Sequence, residues 1–426
     1  MAEQNYPESI LLQNKSNYGI CFPGGGIREV IFTCTYISSF KNIFDLTKIK
    51  YISSCSGSSI FMSMYACYEN EYKFNKILKP YECSIDNLKI IENSTFENVI
   101  SNIKLLPNFI DTIFEKKNKY CSKWIYIIKE IFFDKKYKYE NNNSRPFNII
   151  NASLFYDDIN GEYFPVEFTD FYCNLPIKIN DKNGQYLYGG YIENDDIFFK
   201  DFELNPVIKC GLSSNFISAL FEYSTKCKID LFNYRIYNPI TNNTNITNFV
   251  DGGIYDNISI LSCLRRKIKN INVNIFTNVP ITDKNFLNNS SESGYFKFFE
   301  GNDSSNKFTI FTKEIWNKIY NELLYKFTNG EPLIVLFSTE ILKNEYLKIE
   351  PYGPINFLFH LNSNNKYWFN SLPIQTQKYI LNKEPNFPYY NFLKFNFDSI
   401  LTNLIGSLIN YELENSIEYK LFYENL

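Results

Sequence analysis

The sequence predicts an α/β fold built on a mixed, mostly parallel sheet. Three observations carry this expectation. Two strand–turn–helix units follow one another, at Tyr18 to Phe40 and at Lys48 to Phe74, and a βαβα start favours parallel strands. A later stretch, Ile246 to Val279, reads as strand, Asp-Gly-Gly turn, helix and strand. With 426 residues, 45% hydrophobic and 21% charged, the chain can also bury a large core.

The elements follow in order. "YGICFPGGGIREVIFTCTYISSF" is an apolar strand, the glycine turn Gly24-Gly25-Gly26, then a helix. "KIKYISSCSGSSIFMSMYACYENEYKF" repeats the plan, with five serines between Ser53 and Ser59 around Gly57. Residues 70–145 change character, becoming helical, Lys-rich and aromatic-rich, and read as an inserted helical cap. Within it Lys116, Lys117, Lys119 and Lys123 lead into Trp124-Ile125-Tyr126-Ile127-Ile128, and Lys135, Lys136 and Lys138 follow. That segment reads as a membrane-facing surface or as a solvated helix with an apolar core face. "PFNIINASLFY" and "GEYFPVEFTDFY" return to strand patterns. "NPVIKCGLSSNFISALFEYS" enters a helix near Ser213-Ser214, which can cap it. Beyond about 281 the chain is Asn-rich and aromatic, and it closes on the helical "FDSILTNLIGSLINYELENSIEYK". With no repeat and no long linker, the expected organisation is a single domain over 1–426. Its motif-bearing core is 18–280, its inserted cap 70–145, and 281–426 pack on the core.

Composition excludes several classes. Net charge is −3, which argues against a general nucleic-acid binder. Met1 to Asn17 holds neither a basic n-region nor an apolar h-region, so no secretory signal is expected. No apolar run reaches the roughly 18 residues of a membrane span. The expected location is the cytoplasm, with peripheral contact to membranes. Ten cysteines without CxxC pairs read as reduced, buried thiols, and no metal or other cofactor is implied. The one histidine, His360, excludes HExxH sites.

Three turns are candidates for chemistry, and each also has a plain structural reading. Pro23 to Arg28 lacks the Lys-Ser/Thr of a nucleotide-binding loop and the third glycine of a dinucleotide fingerprint. It is either a tight turn or an anion cradle, in which glycine N–H groups and a helix N-terminus converge on a developing negative charge. Ser54-Cys55-Ser56-Gly57-Ser58 is either a Ser-rich cap or a nucleophile elbow centred on Ser56. Asp251-Gly252-Gly253 is either an ordinary turn or a carboxylate at a strand end beside closely approaching backbone.

Taken together and in this order, the three turns resemble the patatin-like phospholipase superfamily. GGGIR matches its G-G-G-x-R loop, Ser54 to Ser58 sits at its G-x-S-x-G elbow, and "VDGGIYDN" matches its D-G-[GA] motif. The Ser-Gly-Ser form of the elbow and "PVEFTDFY" are similar to the cytosolic phospholipase branch, and "KCGLSSNFISALF" resembles the family's small-residue segment. The resemblance covers 18–280, and "PNFPYYNFLKFNF" with the final helix more loosely. It implies a patatin-like three-layer α/β/α fold and a lipid acyl hydrolase acting on a phospholipid or lysophospholipid. Its implied site is a Ser56–Asp251 dyad without histidine, an oxyanion hole at Gly24, Gly25 and Gly26, and Arg28 acting on the oxyanion or a lipid phosphate. Arg28 equally suits a salt bridge to Glu29. Ser54 in place of the first elbow glycine and Glu29 in place of a small residue depart from the pattern, and leave a lipid-binding homologue of weakened activity as an alternative. The order Ser56, Asp251, His360 also fits an α/β-hydrolase triad, although only one strand and a glycine turn precede Ser56.

Overall fold

The computed structural model describes residues 6–68, 77–90, 120–133, 145–156, 162–170, 172–177, 187–193, 205–215, 233–238, 243–276, 334–337, 355–361, 365–390 and 397–426. Its centre is a mixed sheet of β1 (Ser16–Phe22), β2 (Ile49–Cys55), β3 (Phe147–Tyr156), β4 (Glu162–Phe168), β5 (Tyr172–Ile177), β6 (Leu187–Glu193), β7 (Asn233–Asn238), β8 (Asn243–Val250), β9 (Asn270–Ile275), β10 (Ile334–Phe337) and β11 (Ile355–Leu361). The main path runs β10-β11-β9-β1-β2-β3-β4-β5-β6, with β8 added to β3 and β7 to β8. The middle of the sheet, β11-β9-β1-β2-β3, is parallel throughout. Antiparallel pairs lie at its flanks.

Helical crossovers explain the parallel centre. Helix α1 (Ile27–Ile43) carries the chain from β1 to β2, and α2 (Ser56–Tyr68) leaves β2. Such strands are covered on both faces. On one face Ile20, Phe22 and Ile52 join Val30, Ile31, Ile37, Phe61 and the C-terminal helix residues Leu404, Ile405 and Leu408 in a single core. On the other face, Gly19 and Cys21 meet Cys263 of the helix Leu261–Arg265. There the Arg266 guanidinium lies 4.1 Å from the Tyr6 ring and 5.5 Å from the Tyr51 ring. The result is helix, sheet, helix.

Within 70–145 the helix Tyr120–Phe132 turns its apolar stripe inward. Trp124, Ile127, Ile128 and Ile131 recur at helical spacing and are buried. The Trp124 indole N–H donates to Ser214 Oγ at 3.2 Å, and Ile125 packs on Gly211. Trp124, Ile127 and Ile128 are therefore core residues, which is the second of the two readings, a helix with an apolar core face. Lys116, Lys117, Lys119, Lys135, Lys136 and Lys138 lie outside the described residues. Cys21, Cys34, Cys55, Cys67, Cys83, Cys173, Cys210 and Cys263 are free and buried, and among the described residues no helix is long and apolar enough to cross a membrane.

Candidate active site

Strand register brings the two distant motifs together. β3 is longer than β2, its parallel neighbour, whose Tyr51 to Cys55 pair with Phe147 to Asn151. Further along the same edge of β3, Val250 to Asn248 of β8 pair antiparallel with Ser153 to Phe155. β2 and β8 thus run toward each other along β3 and end with only Ala152 between their registers. The next residue of each chain segment is Ser56 and Asp251. The Ser56 hydroxyl donates to Asp251 Oδ2 at 2.9 Å.

Ser56 sits where β2 becomes α2 without an intervening loop, and its φ is +50°. A left-handed serine costs about 1–2 kcal/mol, so its surroundings must hold it there. They do so with hydroxyls. Its backbone N–H donates to Ser213 Oγ at 3.0 Å, and its carbonyl accepts from Ser59 Oγ at 2.6 Å. Ser58 Oγ donates to the Cys55 carbonyl at 2.7 Å. Ser54, by contrast, lies within β2 and is not among the positive-φ residues, so serine in place of glycine there carries no backbone penalty.

The glycine loop is pressed onto this turn. A methyl group on Gly57 would lie 1.8 Å from the Gly26 carbonyl oxygen, and one on Gly24 would lie 3.0 Å from Ser56 Cβ. Gly26, at φ +70°, leads into α1. The Gly24 N–H is already engaged, donating to the Asn257 carbonyl at 2.8 Å. That N–H is therefore occupied in this structure. Among the described residues no hydrogen-bond partner takes the Gly25 or Gly26 N–H.

Arg28 takes the ion-pair reading. Buried, it donates from Nε to Glu29 Oε1 at 2.8 Å and from Nη1 to the Tyr390 carbonyl at 2.6 Å. Both side chains pack under Gly25, where an added methyl would meet Glu29 Oε1 at 2.5 Å and Arg28 Nη2 at 2.7 Å. Arg28 is thus buried against the glycine loop and held by Glu29 and the Tyr390 carbonyl.

Asp251 accepts from the Gly253 N–H through Oδ1 at 2.8 Å as well as from Ser56. Burial pushes its carboxyl up to about 7, against the opposing pull of those two donors. His360 lies elsewhere. It stands on β11, three strands along from β2, with Tyr36, Phe276 and Tyr419 around its ring and Glu412 Oε2 3.6 Å from Nε2. Burial pushes its imidazole down to about 3.

Several supporting residues carried no functional expectation from sequence. Asn151 donates through Nδ2 to Ser53 Oγ at 2.8 Å and to the Ser54 carbonyl at 3.0 Å, and accepts from Ser262 Oγ at 2.5 Å. Its backbone carbonyl accepts from Ser213 Oγ at 2.5 Å, while the Ser213 carbonyl accepts the Gly252 N–H at 2.9 Å. Asn151 and Ser213 together hold both the elbow and the Asp251 turn. Below them Glu167 accepts from Ser262 and from Arg265 and Arg266, and Arg266 also pairs with Glu8 at 2.7 Å. An asparagine in the middle of an apolar strand was the available signal for Asn151.

No family model matches the chain. No curated protein sequence matches it. Among solved structures it is similar to human GIVD cytosolic phospholipase A2, at 12% identity and a TM-score of 0.46, over 97% of this chain and 61% of that one. It is also similar to the same protein in complex with methyl gamma-linolenyl fluorophosphonate, at 12% identity and a TM-score of 0.48, over 97% and 59%. The chain spans about three fifths of those proteins' length.

Proposed function

We propose that the chain is a serine lipid acyl hydrolase that cleaves carboxylic esters of phospholipids or lysophospholipids through Ser56 and Asp251. The observation that carries this reading is the strained Ser56 hydroxyl donating to a buried carboxylate at 2.9 Å. The lipid class rests on the motif resemblance of the glycine loop, elbow and Asp-Gly-Gly turn.

In acylation Ser56 Oγ attacks the ester carbonyl carbon and its proton passes to Asp251 Oδ2. An ordinary aspartate, with a pKa near 4, is a weak base for a serine. Desolvation of Asp251 raises its basicity and brings it closer to the task. The tetrahedral oxyanion would be met by the Gly25 and Gly26 N–H groups, and loss of one such donor typically costs about 100- to 1000-fold in rate. Collapse expels the alcohol, which takes the proton back from Asp251. Water then attacks the acyl-serine with Asp251 again as base; collapse breaks the bond to Ser56 Oγ, which takes the proton back from Asp251 as the fatty acid leaves. Arg28, locked to Glu29 and Tyr390, contributes by stiffening the loop.

Incubation with a serine-reactive fluorophosphonate tests the reading. Labelling should map to Ser56 and vanish in Ser56→Ala, while Ser54→Ala and Ser58→Ala keep it. Ester hydrolysis should survive His360→Ala and disappear in Asp251→Asn. Labelling that persists in Ser56→Ala would remove the assignment, and an unlabelled wild type would favour a lipid-binding protein that has lost activity.

A further inference from the structure

The helix pair Lys366–Asn370 and Ile374–Lys383 carries, among the described residues, an outward apolar face as well as a buried one. Its inner side is regular: Trp368, Leu372, Thr376 and Ile380, four residues apart, are buried. Trp368 Nε1 donates to Ser407 Oγ at 3.2 Å, and Thr376 Oγ1 donates to the Cys83 carbonyl at 2.7 Å. The outer side shows Tyr367 at 78% exposure, Ile374 at 70% and Leu381 at 57%. Ile374, Lys378 and Leu381 are spaced i, i+4, i+7 and so line one stripe of the helix. Three large apolar side chains in one short outward segment differ from singly scattered surface apolars.

The charge around this face names its partner. From Asn365 to Lys383 there is no carboxylate, while Lys366, Lys378 and Lys383 are all exposed. Counting Glu384, which follows Lys383 directly, the segment 365–384 carries +2 in a chain whose net charge is −3, and a further carboxylate set against it, Asp398, is engaged by the Tyr379 hydroxyl. Cationic heads around apolar tips suit a surface that is anionic outside and hydrocarbon within. The face also connects to the glycine loop. Trp368 stacks on Phe387 at 5.6 Å, Phe387 meets Tyr390 at 6.0 Å, and the Tyr390 carbonyl holds Arg28 beneath Gly25.

We propose that the outer face of this helix pair, built on Tyr367, Ile374 and Leu381 and ringed by Lys366, Lys378 and Lys383, docks the protein on an anionic lipid bilayer. The proposal extends the lipid-hydrolase reading and rests on it for its purpose, but binding is measurable without hydrolysis. The test is cosedimentation of the full chain, carrying Ser56→Ala, with phosphatidylcholine vesicles with and without phosphatidylserine. Binding should need phosphatidylserine and weaken with salt. K366E/K378E/K383E should lower the partition coefficient about 100-fold, since one lysine near an anionic surface is worth about fivefold. Y367S/I374S/L381S should lower it about 10-fold or more through lost apolar burial. Y126S/K129E, on the exposed side of the helix Tyr120–Phe132, should leave it unchanged. Circular dichroism confirms that each variant is folded. Failure of the Ser56→Ala chain to bind, or either triple variant binding as it does, would overturn the proposal. So would a dimer that the same substitutions disperse in the absence of vesicle binding. Intact binding with no fluorophosphonate labelling of the wild type would retain the docking face and remove the enzyme reading.

Discussion

At the scale of single residues, Asp251 faces two ways. Its burial raises its basicity and penalises the fold once it ionises. The sign follows from its position well above the ordinary aspartate value near 4. Below pH 4 both states are protonated and the penalty is absent. As pH rises from 4 to about 7 the unfolded chain has released its proton while the folded one retains it, so stability falls. Two results are expected. The acid limb of kcat/KM should have its midpoint near pH 7, because only the ionised carboxylate accepts the Ser56 proton. Asp251→Asn should be inactive yet melt higher than wild type at pH 8, by up to about 4 kcal/mol, with the difference closing toward pH 4. Paired pH–rate and thermal-melt series check both. A limb well below pH 5, or an Asn variant that melts lower at pH 8, would contradict the assignment.

At the scale of elements, the site is an interlock of three turns. The Gly57 backbone fits against the Gly26 carbonyl, Gly252 against the Asn151 carbonyl, and Gly24 against Asn257 and Ser56. The contacting atoms at Gly57 and Gly252 are backbone, which cannot rotate aside. A methyl on Gly57 must therefore push the glycine loop away from Ser56. Gly57→Ala is expected to cost about 1–3 kcal/mol of stability and about 100-fold or more in kcat. Ser54→Gly, at a position with ordinary extended backbone, should leave kcat within about threefold. Steady-state kinetics beside denaturant melts distinguish the two. Equal effects of the two substitutions would contradict the interlock.

At the scale of the whole molecule, a buried ionic cluster ties the sheet to its outer layers. Glu167 of β4 holds Arg265 and Arg266 at 2.9 Å each, and Arg266 reaches Glu8 near the N-terminus. Burial alone would push Glu167 up, but Arg266 and Arg265 overcome it and hold the carboxyl down to about 2 from 4.5. A depressed carboxylate stabilises the fold fully above its ordinary value and loses that contribution as pH falls toward 2. Acid unfolding should therefore show a loss of about 3 kcal/mol between pH 4.5 and pH 2. Glu167→Gln should be strongly destabilised at pH 7, because it leaves the guanidinium of Arg266 under-compensated, and should lose less on acidification. Denaturant melts across this range check it. A Gln variant as stable as wild type at pH 7 would show that the cluster adds no net stability.

The three candidate turns are legible in the sequence alone. Glycine runs and Asp-Gly-Gly are local statements, because a backbone that needs positive φ or close approach accepts few residues, and a serine between a strand and a helix shows in the hydrophobic pattern around it. The α/β class was legible for the same reason, from strand–turn–helix units short enough to read in one window. Which of those groups meet depends on how the distant strands assemble. Ser56 and Asp251 are 195 residues apart, and their contact depends on β2 and β8 ending head to head along β3, a matter of register that no local pattern encodes. The same limit applies to the other open readings. The Gly24 N–H is taken by Asn257, Arg28 is enclosed by Glu29 and the Tyr390 carbonyl, and the Trp124 indole donates to Ser214, the residue that ends the helix Pro206–Ser213. In each case the residue type was visible in the sequence, but its partner came from a distant segment, and the partner sets what a hydrogen-bond donor or an indole does.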